Sequence, residues 1–196
     1  DGLNTDLAVY LESDSSGDNS SFAHVNIHSS FEMVTWDNLP VKKEGETIVT
    51  LQELAKTTAS VRLEYLVSIA QGKDVNYYAV TEYYRMRKGN ERIYLLDYDR
   101  YMEQYFEEDK NAFFGDKIMI GVSDTEFPLV ESEDGNQLAF VKCGSLYSCN
   151  IANSGCARIF SFYDENNNDW RTRNNKHDIR ILSIDESGNI SFMVYG

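Results

Sequence analysis

Residues 75–98, VNYYAVTEYYRMRKGNERIYLLDY, carry the clearest fold signal in the chain. Aromatic and β-branched side chains fill the first half of this stretch, and this composition is typical of a β-strand. Lys88, Gly89 and Asn90 follow, and these residue types favour a tight turn because glycine and asparagine tolerate positive φ. A second apolar run occupies residues 92–98. The stretch therefore predicts a β-hairpin.

A third strand is predicted just before this hairpin. Residues 61–69 alternate between apolar and polar side chains, which is the period of a strand with one buried face. Residues 71–74 separate the two runs and have the composition of a turn. Three consecutive strands joined by short turns form an antiparallel meander, and we expect this meander to be the centre of the fold.

Two short helices are predicted on either side of the meander. Thr50 and Glu53 have the spacing of a capping box, in which each side chain accepts a hydrogen bond from a backbone N–H, so a helix is expected over residues 51–57. Asp99 is a favoured N-cap residue, and apolar side chains recur after it at helical spacing. A second helix is therefore expected over residues 100–108.

The second half of the chain predicts strands alone. They are short apolar runs separated by turns rich in glycine and asparagine, at residues 117–122, 137–142, 157–163, 179–184 and 190–194. Strands and helices do not alternate regularly, which disfavours a parallel sheet. We expect an α+β fold that is predominantly antiparallel β, with one or two short helices and a β-rich C-terminal half. Residues 1–196 are expected to form a single domain, with residues 1–40 adding an N-terminal strand extension.

The charge of the chain excludes two classes of partner. It has 32 acidic and 18 basic residues, a net charge of −14. Nucleic acids and anionic membrane surfaces attract proteins that present lysine and arginine, so neither is expected as a partner. No apolar run approaches the roughly 20 residues of a membrane-spanning helix, and no signal peptide is visible. The polar, lysine-poor composition favours an extracytoplasmic location.

Three cysteines, Cys143, Cys149 and Cys156, lie within fourteen residues. An oxidising compartment would allow one disulfide and one thiol, whereas a reducing one would keep three thiols, and the pairing is left open. Together with His177 they could bind zinc, but structural zinc sites use a closer pair of cysteines. We therefore expect structural cysteines and no zinc.

The tetrapeptide KCGS at residues 142–145 resembles the Cys-Gly-Ser of some chymotrypsin-like cysteine proteases. The resemblance implies a nucleophile at Cys143, with His24 or His28 as the general base. Val141 departs from the glycine that those enzymes have two residues before the nucleophile. We expect Cys143 to be a small buried residue at the end of a strand.

A calcium-loop pattern begins at Asp164. Asp164, Asn166 and Asn168 occupy its first, third and fifth positions, and Asp169 replaces the usual glycine. The twelfth residue, Asn175, is not the bidentate acid that closes such loops. We expect these four oxygen-bearing side chains to bind Ca²⁺ or a similar hard cation weakly, and we expect no other cofactor.

The tyrosines of the meander are the candidate ligand-binding residues. Strand alternation puts Tyr77 and Tyr83 on one sheet face and Tyr78 and Tyr84 on the other. One face is expected to be core. The other is a candidate recognition surface for a protein or a carbohydrate, because tyrosine combines a large contact area with a polar group.

The C-terminal residues 157–196 contain a strand, the D-x-N-x-N loop and a closing hairpin. In this they resemble the ends of some type IV pilin and pseudopilin subunits, which implies a role in assembly. We expect a non-enzymatic binding or assembly module, adhesin-like or pilin-like, outside the cytoplasm or at the cell surface. The alternative is a hydrolase or cysteine-dependent enzyme whose site is assembled from distant residues.

Overall fold

The computed structural model describes residues 7–108, 112–115, 117–123, 127–162 and 176–196. The chain divides into two compact units, Asp1–Glu103 and Gln104–Gly196, which are described in turn. Antiparallel β-sheets make up most of both units, and few of the described residues are helical. The prediction of a β-rich antiparallel fold is confirmed. The single domain expected over residues 1–196 stays a prediction.

The first unit is built on one five-stranded sheet with the strand order β1-β5-β4-β3-β2. Its elements are β1 (His24–Asn26), α1 (Phe31–Val34), β2 (Val41–Leu54), β3 (Thr58–Gln71), β4 (Asp74–Lys88) and β5 (Ile93–Gln104). Strands β3, β4 and β5 are the predicted meander. The core lies where β1, α1 and the even-numbered side chains of β4 and β5 meet, and Val25, Ile27, Val34 and Tyr98 are buried there.

The prediction of a helix over residues 51–57 is wrong. Residues up to Leu54 belong to β2, which pairs with β3 so that Thr50 lies opposite Arg62 and Leu51 lies opposite Val61. A capping box stabilises a helix end only by bonding backbone N–H groups that would otherwise lack partners. In β2 the ladder to β3 satisfies the backbone instead, and the β-branched run before Leu51 suits a strand.

The prediction of a helix over residues 100–108 is also wrong. Strand β5 continues to Gln104, and β1 pairs with it, with Asp99 opposite Asn26 and Arg100 opposite Val25. The N-cap preference of Asp99 is a local effect of about 1 kcal/mol. Pairing with a strand 75 residues earlier outweighs it, and this pairing leaves no mark in the local sequence.

The second unit contains a four-stranded sheet and two hairpins. Its strands are β6 (Phe113–Phe114), β7 (Lys117–Ile118), β8 (Leu129–Glu131), β9 (Gln137–Lys142), β10 (Ser145–Asn150), β11 (Gly155–Phe160), β12 (Asp178–Ile184) and β13 (Ile190–Tyr195). Strands β9, β11, β12 and β13 were predicted, with small changes at their ends. Strand β10, whose sequence is polar at both ends, was not.

Both faces of the β9–β10 hairpin are buried. Leu138, Phe140 and Tyr147 pack on one side with Phe106, and Ala139 and Leu146 pack on the other with the isoleucines of β12. A strand that is buried on both faces carries apolar side chains at successive positions. This explains the run of leucine, alanine, phenylalanine and valine in β9, which does not alternate.

A two-residue turn and a disulfide organise β10. The turn that joins it to β9 is Cys143-Gly144, with φ of 46° and 69°. Positive φ at both positions is the geometry of a type I′ hairpin turn. At the far end, Cys149 of β10 lies opposite Cys156 of β11, and the two form a disulfide. The sequence left the pairing open, and the structure has the disulfide across the β10–β11 hairpin.

Candidate functional site

The first unit contains a cavity of about 280 Å³ whose walls are mostly apolar. We call it the Glu82 pocket, and its lining residues are Leu7, Leu11, Val34, Thr35, Trp36, Glu82, Tyr84, Leu95 and Tyr98. Strands β4 and β5 supply Glu82, Tyr84, Leu95 and Tyr98, whereas Val34, Thr35 and Trp36 come from the end of α1 and the residues after it. Ligand sites in proteins combine apolar walls with a few convergent polar groups in this way.

Glu82 is the buried acid of this pocket, with 8% of its surface exposed. The hydroxyl of Tyr84 donates to Oε2 at 3.0 Å, and that of Tyr98 donates to Oε1 at 3.1 Å. Glu82 and Tyr84 are two residues apart on one strand, so both side chains point to the same face. The two hydrogen bonds hold the carboxylate in one orientation.

These hydroxyls remain donors over a wide pH range. Burial, with the neighbouring Glu82 carboxylate as the second cause, raises the pKa of Tyr65, Tyr84 and Tyr98 well above the usual value of a tyrosine. Tyr65, on β3, lies opposite Val80 of β4, so its side chain is on the same face of the sheet as Glu82. The carboxylate is therefore surrounded by neutral phenols.

Arg100 is a fully buried cation of the first unit. Its guanidinium donates to the carbonyl oxygens of Val34, at 2.5 Å, and Met33, at 2.9 Å, at the end of α1. Burial lowers the pKa of Arg100, and the nearby tyrosines and Glu82 oppose that shift. Its Nε has no hydrogen-bond partner in the part of the chain that the structure describes.

Trp36 lines the pocket and contacts Arg100 with its ring, and its backbone is strained. Trp36 has φ of 58°, in the left-handed region that usually takes glycine at a helix end. Its ring lies 4.1 Å from the Arg100 guanidinium carbon, and its Nε1–H donates to the sulfur of Met102 at 3.4 Å. A bulky residue in this region costs about 1–3 kcal/mol, and such strain is concentrated at functional sites.

The structure places the predicted binding tyrosines on two faces. Tyr78 is buried and Tyr84 lines the pocket, so their face is the core side of the sheet. Tyr77 and Tyr83 are partly exposed on the opposite face, where the Tyr83 hydroxyl donates to Ser60 at 3.1 Å. The role of these tyrosines in binding stays a prediction.

The cysteines and histidines form no common site among the described residues. Cys143 is buried in its turn, outside the disulfide, and that disulfide removes two of the thiolates that a zinc site would need. His24 contacts Asp99 at 2.7 Å and stacks on Tyr101, in the first unit. No group of three or more metal-binding side chains occurs in the described ranges.

The predicted cation site at Asp164, Asn166, Asn168 and Asp169 lies outside the described residues, so calcium binding there stays a prediction. In the parts of the chain that the structure describes, no helix has the length and hydropathy needed to cross a bilayer. Comparison of the chain with protein-family models, curated proteins and solved structures finds no match.

Sequence reasoning missed the polar centre of the pocket. Glu82 interrupts the apolar side of β4, between Val80 and Tyr84, and this break in the alternation was the available signal. An acidic side chain is rarely buried in a protein core unless it is hydrogen-bonded or paired with a cation. Arg100 and Trp36 gave no comparable signal, because Arg100 lies in the predicted helix over residues 100–108 and Trp36 lies in the predicted strand extension over residues 1–40.

Proposed function

We propose that this chain is a non-enzymatic binding module that works outside the cytoplasm, and that the Glu82 pocket is its ligand site. The observation that carries the proposal is a buried carboxylate on the wall of an apolar cavity, bordered by a strained tryptophan. Stability alone favours a filled cavity and a glycine at the position of Trp36. The protein has an open cavity and a tryptophan instead, and a ligand site accounts for both features.

The disulfide supports a location outside the cytoplasm. Disulfides persist in oxidising compartments and are rare in the cytosol, where thiols are kept reduced. Cys149 is completely buried, and its partner Cys156 packs against the same cluster. This arrangement suits a permanent structural bond.

The alternative, a cysteine-dependent enzyme, receives less support. A nucleophilic cysteine is a partly exposed thiolate in an electropositive environment, whereas Cys143 is 5% exposed and lies in a tight turn. A thiol-reactive probe separates the two possibilities. We expect slow labelling of Cys143 in the native protein, and rapid selective labelling would favour the enzyme.

A protein or carbohydrate partner, adhesin-like or pilin-like, belongs to the same proposal. The face of Tyr77 and Tyr83 is where it would dock, because both rings are partly exposed and lie on the side of the sheet away from the pocket. Tyr77→Ala should then weaken partner binding with little loss of stability, whereas Tyr78→Ala should cost about 3–5 kcal/mol of stability.

Uptake of an apolar fluorescent dye tests the pocket itself. N-phenyl-1-naphthylamine should bind the wild type and gain fluorescence as it leaves water. Leu95 lines the pocket, and its neighbour Leu96 is 40% exposed and does not. Leu95→Trp should fill the cavity and abolish uptake, and Leu96→Trp should not. Equal uptake by both variants would contradict the proposal.

A further inference from the structure

We propose that the Glu82 pocket binds a small amine, whose ammonium group pairs with the Glu82 carboxylate while its apolar body contacts the leucines. This inference rests on the proposed function, because it requires the pocket to be a ligand site. It adds the charge of the ligand and the residue that recognises it.

The Glu82 carboxylate retains capacity for one more partner. A carboxylate offers about four acceptor sites and no donor. Tyr84 uses one site on Oε2, Tyr98 uses one on Oε1, and the Tyr65 hydroxyl also hydrogen-bonds to this carboxylate. Because the site that remains accepts only, the group that binds there must be a hydrogen-bond donor.

The polar groups on the pocket wall bring no positive charge to the carboxylate. Its partners Tyr84, Tyr98 and Tyr65 are phenols, which burial keeps in their neutral form by raising their pKa. Among the described residues the lining includes no lysine or arginine, and the nearby buried Arg100 uses two of its nitrogens on backbone carbonyls. A buried carboxylate without a contacting cation gains more from a charged donor than from a neutral one.

Arg100 does not offer an alternative site for an anion. It has no exposed surface, whereas Glu82 has 8% exposed and lines the cavity. Two of its nitrogens donate to the carbonyls of Met33 and Val34, and the Trp36 ring covers the guanidinium. A ligand that enters the pocket therefore meets the carboxylate and not the guanidinium.

The walls favour a compact ligand that carries both a cation and an apolar part. Trp36, Tyr84 and Tyr98 present aromatic rings, which attract ammonium groups through the ring quadrupole. Leu7 and Leu11 line the same cavity and would contact the apolar part of the ligand. The cavity of about 280 Å³ lies just below the range of roughly 300–1,000 Å³ for drug-sized ligands, so the ligand is small. The net charge of −14 adds a field that concentrates cations.

Three probes of similar shape and different charge test the inference by calorimetry near pH 7. They are 2-phenylethylamine, a cation; 2-phenylethanol, which is neutral; and 3-phenylpropionate, an anion. We expect the wild type to bind the amine roughly tenfold or more tightly than the alcohol, and the anion most weakly. In Glu82→Gln the preference for the amine should disappear. Because this variant changes the buried hydrogen bonds to Tyr65, Tyr84 and Tyr98, its unfolding midpoint is measured first, and the wild-type comparison stands without it.

The outcomes separate the inference from the proposed function. Equal binding of amine and alcohol would overturn the ammonium site and leave the pocket as a ligand site. Tightest binding of the anion would also overturn it, because a buried carboxylate disfavours an anion. Binding of the naphthylamine dye with no binding of the three probes would count against the inference alone. If neither the dye nor any probe binds, the proposed function itself fails.

Discussion

The Tyr98 hydroxyl donates to Glu82 Oε1 across 3.1 Å and joins neighbouring strands β5 and β4 inside the first unit. Tyr98 is 3% exposed, and its ring contacts that of Tyr84 at a centroid distance of 5.1 Å. The residues that orient the acid are thus part of the core, so the site and the stability of the unit depend on the same side chains.

Removal of the Tyr98 hydroxyl should cost measurable stability. Tyr98→Phe keeps the ring but leaves Glu82 with one hydrogen-bond donor fewer, and we expect a loss of about 1–3 kcal/mol in the free energy of unfolding. Tyr94→Phe is the matched control on the same strand, since the Tyr94 ring contacts the guanidinium groups of Arg87 and Arg92 and should keep those contacts. Urea unfolding measures both, and equal losses would show that the Glu82 bond contributes nothing.

Arg100 should be far more costly to replace than an exposed arginine of the same sheet. Arg100→Met leaves the carbonyls of Met33 and Val34 without their donor and removes the buried charge near Glu82, so we expect a loss of about 3–5 kcal/mol. Arg85→Met is the control, because Arg85 is exposed on β4. Similar unfolding midpoints for the two variants would mean that the buried cation is dispensable.

The disulfide should stabilise the second unit. Cys149 and Cys156 are seven residues apart, and a loop of this size gives about 2–3 kcal/mol in the chain-entropy treatment. Cys156→Ser and the reduced wild type should show a similar loss of stability. The direct check is the mass after alkylation of the unfolded, unreduced chain, which should carry one added group, on Cys143. Three added groups would show that the bond is absent.

Stability should fall steeply above about pH 10. Burial raises the pKa of Tyr147 to about 12, and raises those of Tyr65, Tyr84 and Tyr98 as well. Between the unfolded value near 10 and the higher folded values, the unfolded state has lost protons that the folded state retains. Unfolding therefore becomes more favourable as pH rises, by up to about 1.4 kcal/mol per pH unit for each such tyrosine.

Urea unfolding at several pH values checks this dependence, with absorbance near 295 nm to follow tyrosine ionisation. The contribution of these tyrosines is fully present below the unfolded pKa, so they should give no slope between about pH 8 and 9. Tyr147→Phe should reduce the alkaline slope by about one proton. A variant with an unchanged slope would argue against a raised pKa at that tyrosine.

The predicted calcium loop can be tested without knowledge of its conformation. Two of its four ligands are neutral amides, so binding should fall in the weak extracellular class, on the order of 10⁻⁴ to 10⁻³ M. Calcium should then raise the melting temperature of the wild type more than that of Asp164→Ala. An unchanged wild-type melting temperature at about 10 mM calcium, well above that range, would reduce the loop to a polar turn.

The sequence predicted those strands in which the alternation of apolar side chains matches the face that the fold buries. Strands β3 and β4 alternate cleanly and end at turns rich in glycine, and the structure has them there. Residues 100–108 show the reverse, because their helical spacing is local whereas the pairing of Arg100 with Val25 spans 75 residues. Long-range partners decide such segments, and propensity alone does not reveal them.

The candidate site was less predictable for the same reason. The pocket needs Trp36 from the end of α1, Glu82 from β4 and Tyr98 from β5, and only the fold brings these three together. The tyrosines stand out in the sequence by their number, yet the structure gives Tyr84 a role through one hydrogen bond to an acid two residues away. A single acid on the apolar side of a strand was the more informative feature.

A crystal structure of the wild-type protein with 2-phenylethylamine would show whether the ammonium group pairs with Glu82. We expect the phenyl ring between the leucines of the Glu82 pocket and the ammonium nitrogen at about 2.7–3.2 Å from a Glu82 carboxylate oxygen. Density for the amine elsewhere on the protein, or in the pocket with its nitrogen directed away from Glu82, would contradict it.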